Sequence, residues 1–100
     1  MEELSHWIGG RHVKGTSGRF ADVMNPATGE VQARVPLASQ SELDAAVAEA
    51  AAAQPAWGAT NPQRRARVLF DYKRLVEERM DELAELLSSE HGKVVADARG

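Results

Sequence analysis

The stretch Asn-Pro-Ala-Thr-Gly-Glu-Val at residues 25–31 decides how the first third of this chain is interpreted. Asn25 suits the first position of a turn, because its side chain can bond back to the backbone. Pro26 pre-sets φ for the second position, and Gly29 can adopt the left-handed conformation that reverses the chain. The stretch therefore predicts a tight turn between two extended segments.

The segments on either side of this turn have the character of strands. Residues 20–24 alternate only roughly between apolar and polar side chains, whereas residues 30–35 alternate cleanly. Pro36 is expected to close the second segment, since it has no N–H to donate to a ladder. The sequence thus predicts a β-hairpin over residues 20–36, and Val31, Ala33 and Val35 share one of its faces.

A smaller hairpin is predicted at the N-terminus. The runs at residues 6–8 and 11–13 flank Gly9-Gly10, a two-residue turn of the kind that needs positive φ. Residues 14–19 form a Gly/Ser/Thr loop. The predicted β part of the chain therefore covers residues 1–36.

The pattern changes to helical spacing from Ser39 onward. Ser39 and Glu42 have the spacing of a capping box, which marks a helix start. Pro55 is expected to end this first helix, so that it covers residues 39–54 and leaves Trp57 in a loop. Its apolar face is dominated by alanine, which indicates packing on a sheet or a larger helix. The residues of this face are Leu43, Ala46, Val47, Ala50 and Ala53 or Gln54.

A second helical region is predicted over residues 61–91. Asn61 and Pro62 suit the N-cap and the first turn. A continuous helix of this length would be unusual, so a break is expected near residues 78–81, where Asp81 could cap a fresh start. The apolar positions are Ala66, Leu69, Phe70, Leu75, Val76, Met80, Leu83, Leu86 and Leu87.

The last residues predict a helix end followed by a new start. Gly92 is suited to the left-handed position that follows a helix, and His91 lies where the helix dipole favours a cation. Residues 93–100 resemble the beginning of a further helix, and the sequence stops within it. Together these elements predict an α/β fold in which two β-hairpins precede packing helices, as part of a larger domain.

Composition excludes several classes of function. The chain has 100 residues, a net charge of −3 and no cysteine. The acidic balance gives no electrostatic reason to expect a nucleic-acid partner, and no apolar run approaches the ~20 residues that cross a bilayer. Residues 1–6 lack the basic start of a secretory signal, so a cytoplasmic location is expected. Leu, Ile, Val and Phe make up about one fifth of the chain, which predicts a thin core that packs against further protein.

No set of side chains has the pattern of a catalytic, cofactor-binding or metal site, so none is assigned. The basic run Arg64-Arg65-Ala66-Arg67 is followed by acidic residues and is interpreted as a solvated helix face. The three histidines, at positions 6, 12 and 91, include no i,i+4 pair, and zinc needs three or four convergent ligands. Serine is absent from any G-x-S-x-G context, and the glycines at 9–18 do not form G-x-G-x-x-G.

The order of the motifs carries more information than any one of them. A Trp-Ile-Gly-Gly hairpin precedes residues 25–31, which run into Ala-Arg-Val-Pro at 33–36. The helix at 43–57 and the motifs Arg-Ala-Arg-Val-Leu at 65–69 and Glu-His-Gly-Lys at 90–93 follow. This succession resembles the N-terminal region of the NAD(P)-dependent aldehyde dehydrogenase superfamily. Residues 6–10, 68–73 and 90–100 resemble its CoA-acylating branch, the methylmalonate-semialdehyde dehydrogenases.

The resemblance implies a reaction for the parent protein. In the family a cysteine attacks the aldehyde, hydride passes to NAD, and in this branch coenzyme A takes the thioester with loss of CO₂. Methylmalonate or malonate semialdehyde would give propionyl-CoA or acetyl-CoA. The family's nucleophile, general base and NAD contacts lie beyond the matched region, which implies that these 100 residues alone are inactive and act as scaffold within the NAD-binding domain. In some relatives, backbone carbonyls that correspond to Val23 and Met24 help to hold a monovalent cation; the other ligands are missing here, and no metal site is assigned.

Several alternatives stay open at this stage. Relatives are dimers or tetramers, so a homo-oligomer is implied for the full-length protein. The sequence does not decide between NAD and NADP, nor between the acylating branch and a non-acylating branch such as the succinate-semialdehyde type. A different class of function is a non-enzymatic helical module with an N-terminal β-arm, whose Ala-rich face would bind a partner.

Overall fold

A computed structural model describes all residues, Met1–Gly100, as a mixed α/β chain with strands first and helices after them. The strands are β1 (Glu2–Glu3), β2 (His6–Ile8), β3 (Arg11–Val13), β4 (Phe20–Asn25) and β5 (Glu30–Pro36). The helices are α1 (Gln40–Ala59), α2 (Pro62–Glu78), α3 (Met80–His91) and α4 (Val95–Ala98).

The hairpin predicted over residues 20–36 is confirmed, and its turn is held as the sequence suggests. Asn25 accepts hydrogen bonds at its backbone oxygen from the N–H of Thr28 (3.3 Å) and of Gly29 (2.8 Å). Its side-chain Oδ1 also accepts from the N–H of Ala27 at 3.0 Å. Gly29 has a φ of +75°, the left-handed conformation that the turn requires.

β5 is the central strand of a three-stranded sheet of order β1-β5-β4. β1 pairs with it in parallel, with Glu2 opposite Ala33 and Glu3 opposite Arg34. β1 was not predicted, because two adjacent charged residues carry no periodicity. On β4 and β5, the guanidinium carbon of Arg34 lies 4.1 Å from the centre of the Phe20 ring, which is the geometry of a cation–π contact.

The N-terminal hairpin is also confirmed. β2 and β3 form a separate antiparallel pair in which His6 lies opposite Val13 and Trp7 opposite His12. The turn residues Gly9 and Gly10 have φ values of +62° and +77°.

α1 begins as predicted but does not end at Pro55. The capping box is present, since the Glu42 N–H donates to Ser39 Oγ at 3.2 Å and the Ser39 N–H donates to Glu42 Oε1 at 3.0 Å. The predicted end at residue 54 is wrong, because the helix continues to Ala59 with Pro55 inside it, and Trp57 lies on the helix rather than in a loop. The proline removes one N–H, and the Ala51 carbonyl four residues earlier is exposed and can bind water instead.

The predicted break in the second helical region is confirmed at Arg79, which separates α2 from α3. Asn61 caps α2, since its Oδ1 accepts from the N–H of Gln63 at 2.8 Å. The prediction that Asp81 caps α3 is wrong: Asp81 lies in the first turn, and Arg79 precedes the helix without a side-chain cap. Residues 93–100 contain one short helix, α4.

The chain divides into two units, one of residues 1–24 and 31–58 and the other of residues 25–30 and 59–100. In the first unit the buried residues are Ala33 and Pro36, and in the second Ala84. Within the second unit, Gly92 ends α3 with a φ of +89° and lies against Pro26 of the hairpin turn. None of the helices has the length and apolar character that a bilayer crossing requires.

Candidate functional site

The structure brings no group of His, Cys, Asp and Glu side chains into the arrangement that a metal ion needs. The three histidines have different surroundings. His12 Nδ1 lies 2.9 Å from Ser5 Oγ, and its ring meets Trp7 edge-on at 4.8 Å. His6 faces Glu42, and His91 lies in the last turn of α3.

Glu42 is the most highly connected polar side chain of the first unit. Its Oε1 accepts from the Ser39 N–H at 3.0 Å, its Oε2 accepts from the Thr16 N–H at 3.2 Å, and Oε2 lies 3.4 Å from His6 Nε2. We call these four residues the Glu42 cluster. The hydrogen bond from the Ser39 backbone, more than that from Thr16 or the charge of His6, holds the pKa of Glu42 below its ordinary value, although partial burial opposes the shift.

Only part of the Glu42 cluster is visible in the sequence. The capping box of Ser39 and Glu42 is a local signal at fixed spacing. The contacts with Thr16 and His6 join residues 26 and 36 positions away from Glu42, and no pattern along the chain indicates such a distance.

An open groove of about 410 Å³ runs between the β2–β3 hairpin and α1. One wall is formed by Trp7, Ile8 and the Gly9-Gly10 turn, and the other by alanines of α1 with the carboxylate of Glu49. The Trp7 side chain is 65% exposed. Apart from Glu49, the groove is lined by apolar and small residues. Such a lining suits packing of another structural element more than chemistry on a substrate.

The helices of the second unit expose most of their large apolar side chains. Phe70 is 69% exposed and Leu69 is 62% exposed, although both lie at predicted core positions. Ala66, Val76 and Met80 are half-buried. The exposed apolar residues of α2 and α3 are Val68, Leu69, Phe70, Tyr72, Leu75, Leu83, Leu86 and Leu87.

The arginine run at the start of α2 is divided between solvent and protein. Arg64 and Arg67 are exposed, as predicted for a solvated face. Arg65 is half-buried, and its Nε has no hydrogen-bond partner. Further along α2, Lys73 pairs with Glu77 at 3.2 Å and Arg74 with Glu78 at 2.9 Å, so the later acidic residues neutralise other cations of the same helix.

The residues present do not form a cradle for a dinucleotide. A pyrophosphate site needs free N–H groups at a helix start that follows a glycine-rich turn. Gly9-Gly10 is followed by a strand, the start of α1 is occupied by the Glu42 carboxylate, and the start of α2 is capped by Asn61.

Comparison with known proteins gives a consistent result over almost the whole chain. The model of the aldehyde dehydrogenase family matches residues 12–100. Malonate-semialdehyde dehydrogenase 3 of Geobacillus kaustophilus is 54% identical over 97 residues, which are 97% of this chain and 20% of that protein. The human mitochondrial methylmalonate-semialdehyde/malonate-semialdehyde dehydrogenase [acylating] is 45% identical over 94 residues, which are 94% of this chain and 18% of that protein.

A solved structure shows the same fold. It is a Sinorhizobium meliloti protein, provisionally named a methylmalonate-semialdehyde dehydrogenase and crystallised in complex with NAD. It is 59% identical and superposes with a TM-score of 0.97 over 100% of this chain and 20% of its own. The chain thus spans about one fifth of the length of the relatives it matches.

Proposed function

This chain belongs to the aldehyde dehydrogenase family, and on that premise we propose that it is the N-terminal part of the NAD-binding domain of a CoA-acylating semialdehyde dehydrogenase. The parent enzyme would oxidise malonate or methylmalonate semialdehyde with NAD and release CO₂, with acetyl-CoA or propionyl-CoA as product. Identities of 45% to 59% with dehydrogenases named for these substrates support the branch.

We propose further that the role of these residues is to pack and position rather than to react. One observation carries this proposal: Ala33 and Ala84 are the buried hydrophobic residues, while seventeen large hydrophobic side chains are exposed. So many exposed large apolar side chains beside so small a buried core indicate faces that other protein covers. The rest of the parent chain would cover these faces, and a homo-oligomeric parent is part of the same proposal.

The chemistry of the proposed reaction must come from other residues of the parent. The thiol that attacks the aldehyde needs a cysteine, and this chain contains none. Bound NAD would supply the hydride acceptor. The starts of α1 and α2 are already capped, so we expect these residues to contribute a supporting wall to the domain rather than a contact to the cofactor.

The test begins with the intact mass of the protein as its source produces it. The purified protein is then assayed with malonate semialdehyde, NAD and coenzyme A, and both NADH and acetyl-CoA are measured. A mass several times 10.8 kDa with CoA-dependent NADH formation is expected. A cytoplasmic location of the parent protein is part of the same proposal and is checked by fractionating the source cells.

Each other outcome identifies a different function. NADH formation that ignores coenzyme A and yields a free acid would place the parent in a non-acylating branch. Turnover by the isolated 100-residue chain would overturn the scaffold role. A mass near 10.8 kDa without turnover would favour the non-enzymatic binding module.

A further inference from the structure

We propose that the Glu42 cluster is an acid-sensitive lock that holds the β2–β3 hairpin and the loop after it onto the start of α1. The carboxylate of one helical residue joins three parts of the chain that are remote in sequence. It accepts from its own helix start at Ser39, from the loop at Thr16, and contacts the hairpin at His6.

Other hydrogen bonds hold the far end of the loop: Ser17 Oγ donates to the Leu37 carbonyl, and Arg19 Nη2 donates to the Ala38 carbonyl at 2.9 Å. The Glu42 cluster holds the hairpin side, where these bonds do not reach. β2 and β3 pair with each other and with no further strand. Beside the cluster, the open groove separates the hairpin from α1, and Trp7 is exposed there. The Glu42 side chain is 12% exposed and that of His6 is 18% exposed, so the contact is sheltered from competing water.

The loop side of the cluster is sterically tight. A side chain at Gly15 would place its Cβ 2.5 Å from the Cβ of Pro36 and 3.4 Å from Nε2 of His6. The loop can therefore approach His6 and Glu42 only because residue 15 is glycine. This close approach sets the Thr16 N–H at hydrogen-bond distance from the carboxylate.

Protonation of Glu42 would weaken every bond of the lock at once. A neutral carboxyl is a poorer acceptor than a carboxylate, so the Ser39 and Thr16 bonds lose their charge assistance. His6 is the titratable group that faces Glu42, and the helix start and the loop contribute uncharged N–H donors. Nε2 of His6 lies 3.4 Å from Glu42 Oε2, so His6 loses its anionic neighbour once Glu42 is neutral.

The experiment is hydrogen exchange, followed by mass spectrometry, on the full-length protein as its source produces it. At neutral pH, Glu42→Gln is expected to speed exchange in residues 6–19 by roughly tenfold, as the loss of charge-assisted hydrogen bonds implies. Residues 62–91 should be unchanged. Asp44→Asn is the matched control, because it removes a carboxylate from the same helix whose hydrogen bond is to Gln40 and not to the hairpin.

A second measurement uses the wild-type protein and needs no variant to fold. After correction for intrinsic exchange rates, protection of residues 6–19 should fall as the pH drops below 4.5, the ordinary value for a glutamate, ahead of the helices at 62–91. Equal exchange in wild type and Glu42→Gln, or equal acceleration in Asp44→Asn, would overturn the lock. So would simultaneous loss of protection over both regions in acid. The readout is local and independent of catalysis, so it stands apart from the proposed enzyme activity.

Discussion

Replacing Gly92 by alanine should lower the free energy of unfolding, because two separate costs meet at this position. The residue has a φ of +89°, and an L side chain in the left-handed region costs about 1–2 kcal/mol. The added Cβ would also lie 3.0 Å from Cγ of Pro26, which is closer than the usual carbon–carbon separation of about 3.5–4.0 Å.

The size of the effect can be bounded with a second glycine of the same unit. Gly29 has a φ of +75°, but a Cβ there would meet nothing within 4 Å. Gly29→Ala therefore carries the backbone cost alone, offset by about 0.4–1 kcal/mol because alanine restricts the unfolded chain. Gly92→Ala adds the contact with Pro26, and mild overpacking of this kind costs roughly 1 kcal/mol or more. The expected losses are about 1 kcal/mol at Gly29 and about 2 kcal/mol at Gly92.

The assay is urea unfolding of the full-length protein, with each midpoint compared at an unchanged m-value. The double variant Gly92→Ala with Pro26→Ala isolates the contact, since alanine at 26 keeps Cβ and removes the Cγ that would be met. In that background the cost of Gly92→Ala should fall toward the Gly29 value. Equal losses at the two glycines, or a loss at Gly92 that Pro26→Ala does not reduce, would show that the contact contributes nothing.

Three further outcomes are expected. Asn61→Ala should lower the free energy of unfolding by about 1 kcal/mol, because the acceptor for the Gln63 N–H is lost. Asn61→Ser should keep most of that stability, and an equal drop in urea midpoint for both variants would refute capping. Pro55→Ala should raise the free energy of unfolding by up to ~3 kcal/mol, which is what an interior proline costs, because it restores an N–H aimed at the Ala51 carbonyl; an unchanged or lower thermal midpoint would contradict this. Because the pKa of Glu42 is lowered on folding, the stabilisation that Glu42 provides is complete above its ordinary pKa of 4.5 and is lost as the pH falls through the lowered value. The difference in urea midpoint between wild type and Glu42→Gln should therefore vanish in acid. A difference that persists in acid would refute this role of Glu42.

Turn chemistry and two of the three predicted helix caps were predictable from the sequence, and the cap expected at Asp81 is absent. The turn at 25–29, the Gly9-Gly10 turn and the caps at Ser39 and Asn61 depend on residues within four positions of one another, and all are present. Features that depend on a balance between opposing local effects, or on contacts between residues distant in sequence, were not predictable. Pro55 is a helix breaker by local rules, but here one lost hydrogen bond at an exposed site did not outweigh continuation of the helix.

The candidate site divides in the same way. The sequence correctly placed a capping box at Glu42, and only the folded chain brings His6 and Thr16 to that carboxylate. The alanine face of α1 and the leucines of α3 were interpreted as packing surfaces from their helical spacing. The partner that packs on each of these faces is set by residues distant in sequence, and local patterns carry no information about them.

The contact between Pro26 and Gly92 also has a consequence for how the protein is made. The turn emerges from the ribosome roughly 65 residues before the glycine it packs against, a delay of roughly 3–13 seconds at typical rates of synthesis. During that interval the hairpin tip has no partner from its own unit, because residues 25–30 belong with a segment not yet synthesised. A pause in translation between these positions would prolong the exposure of an unfinished β-hairpin, so the placement of slow codons is expected to affect the yield of this chain.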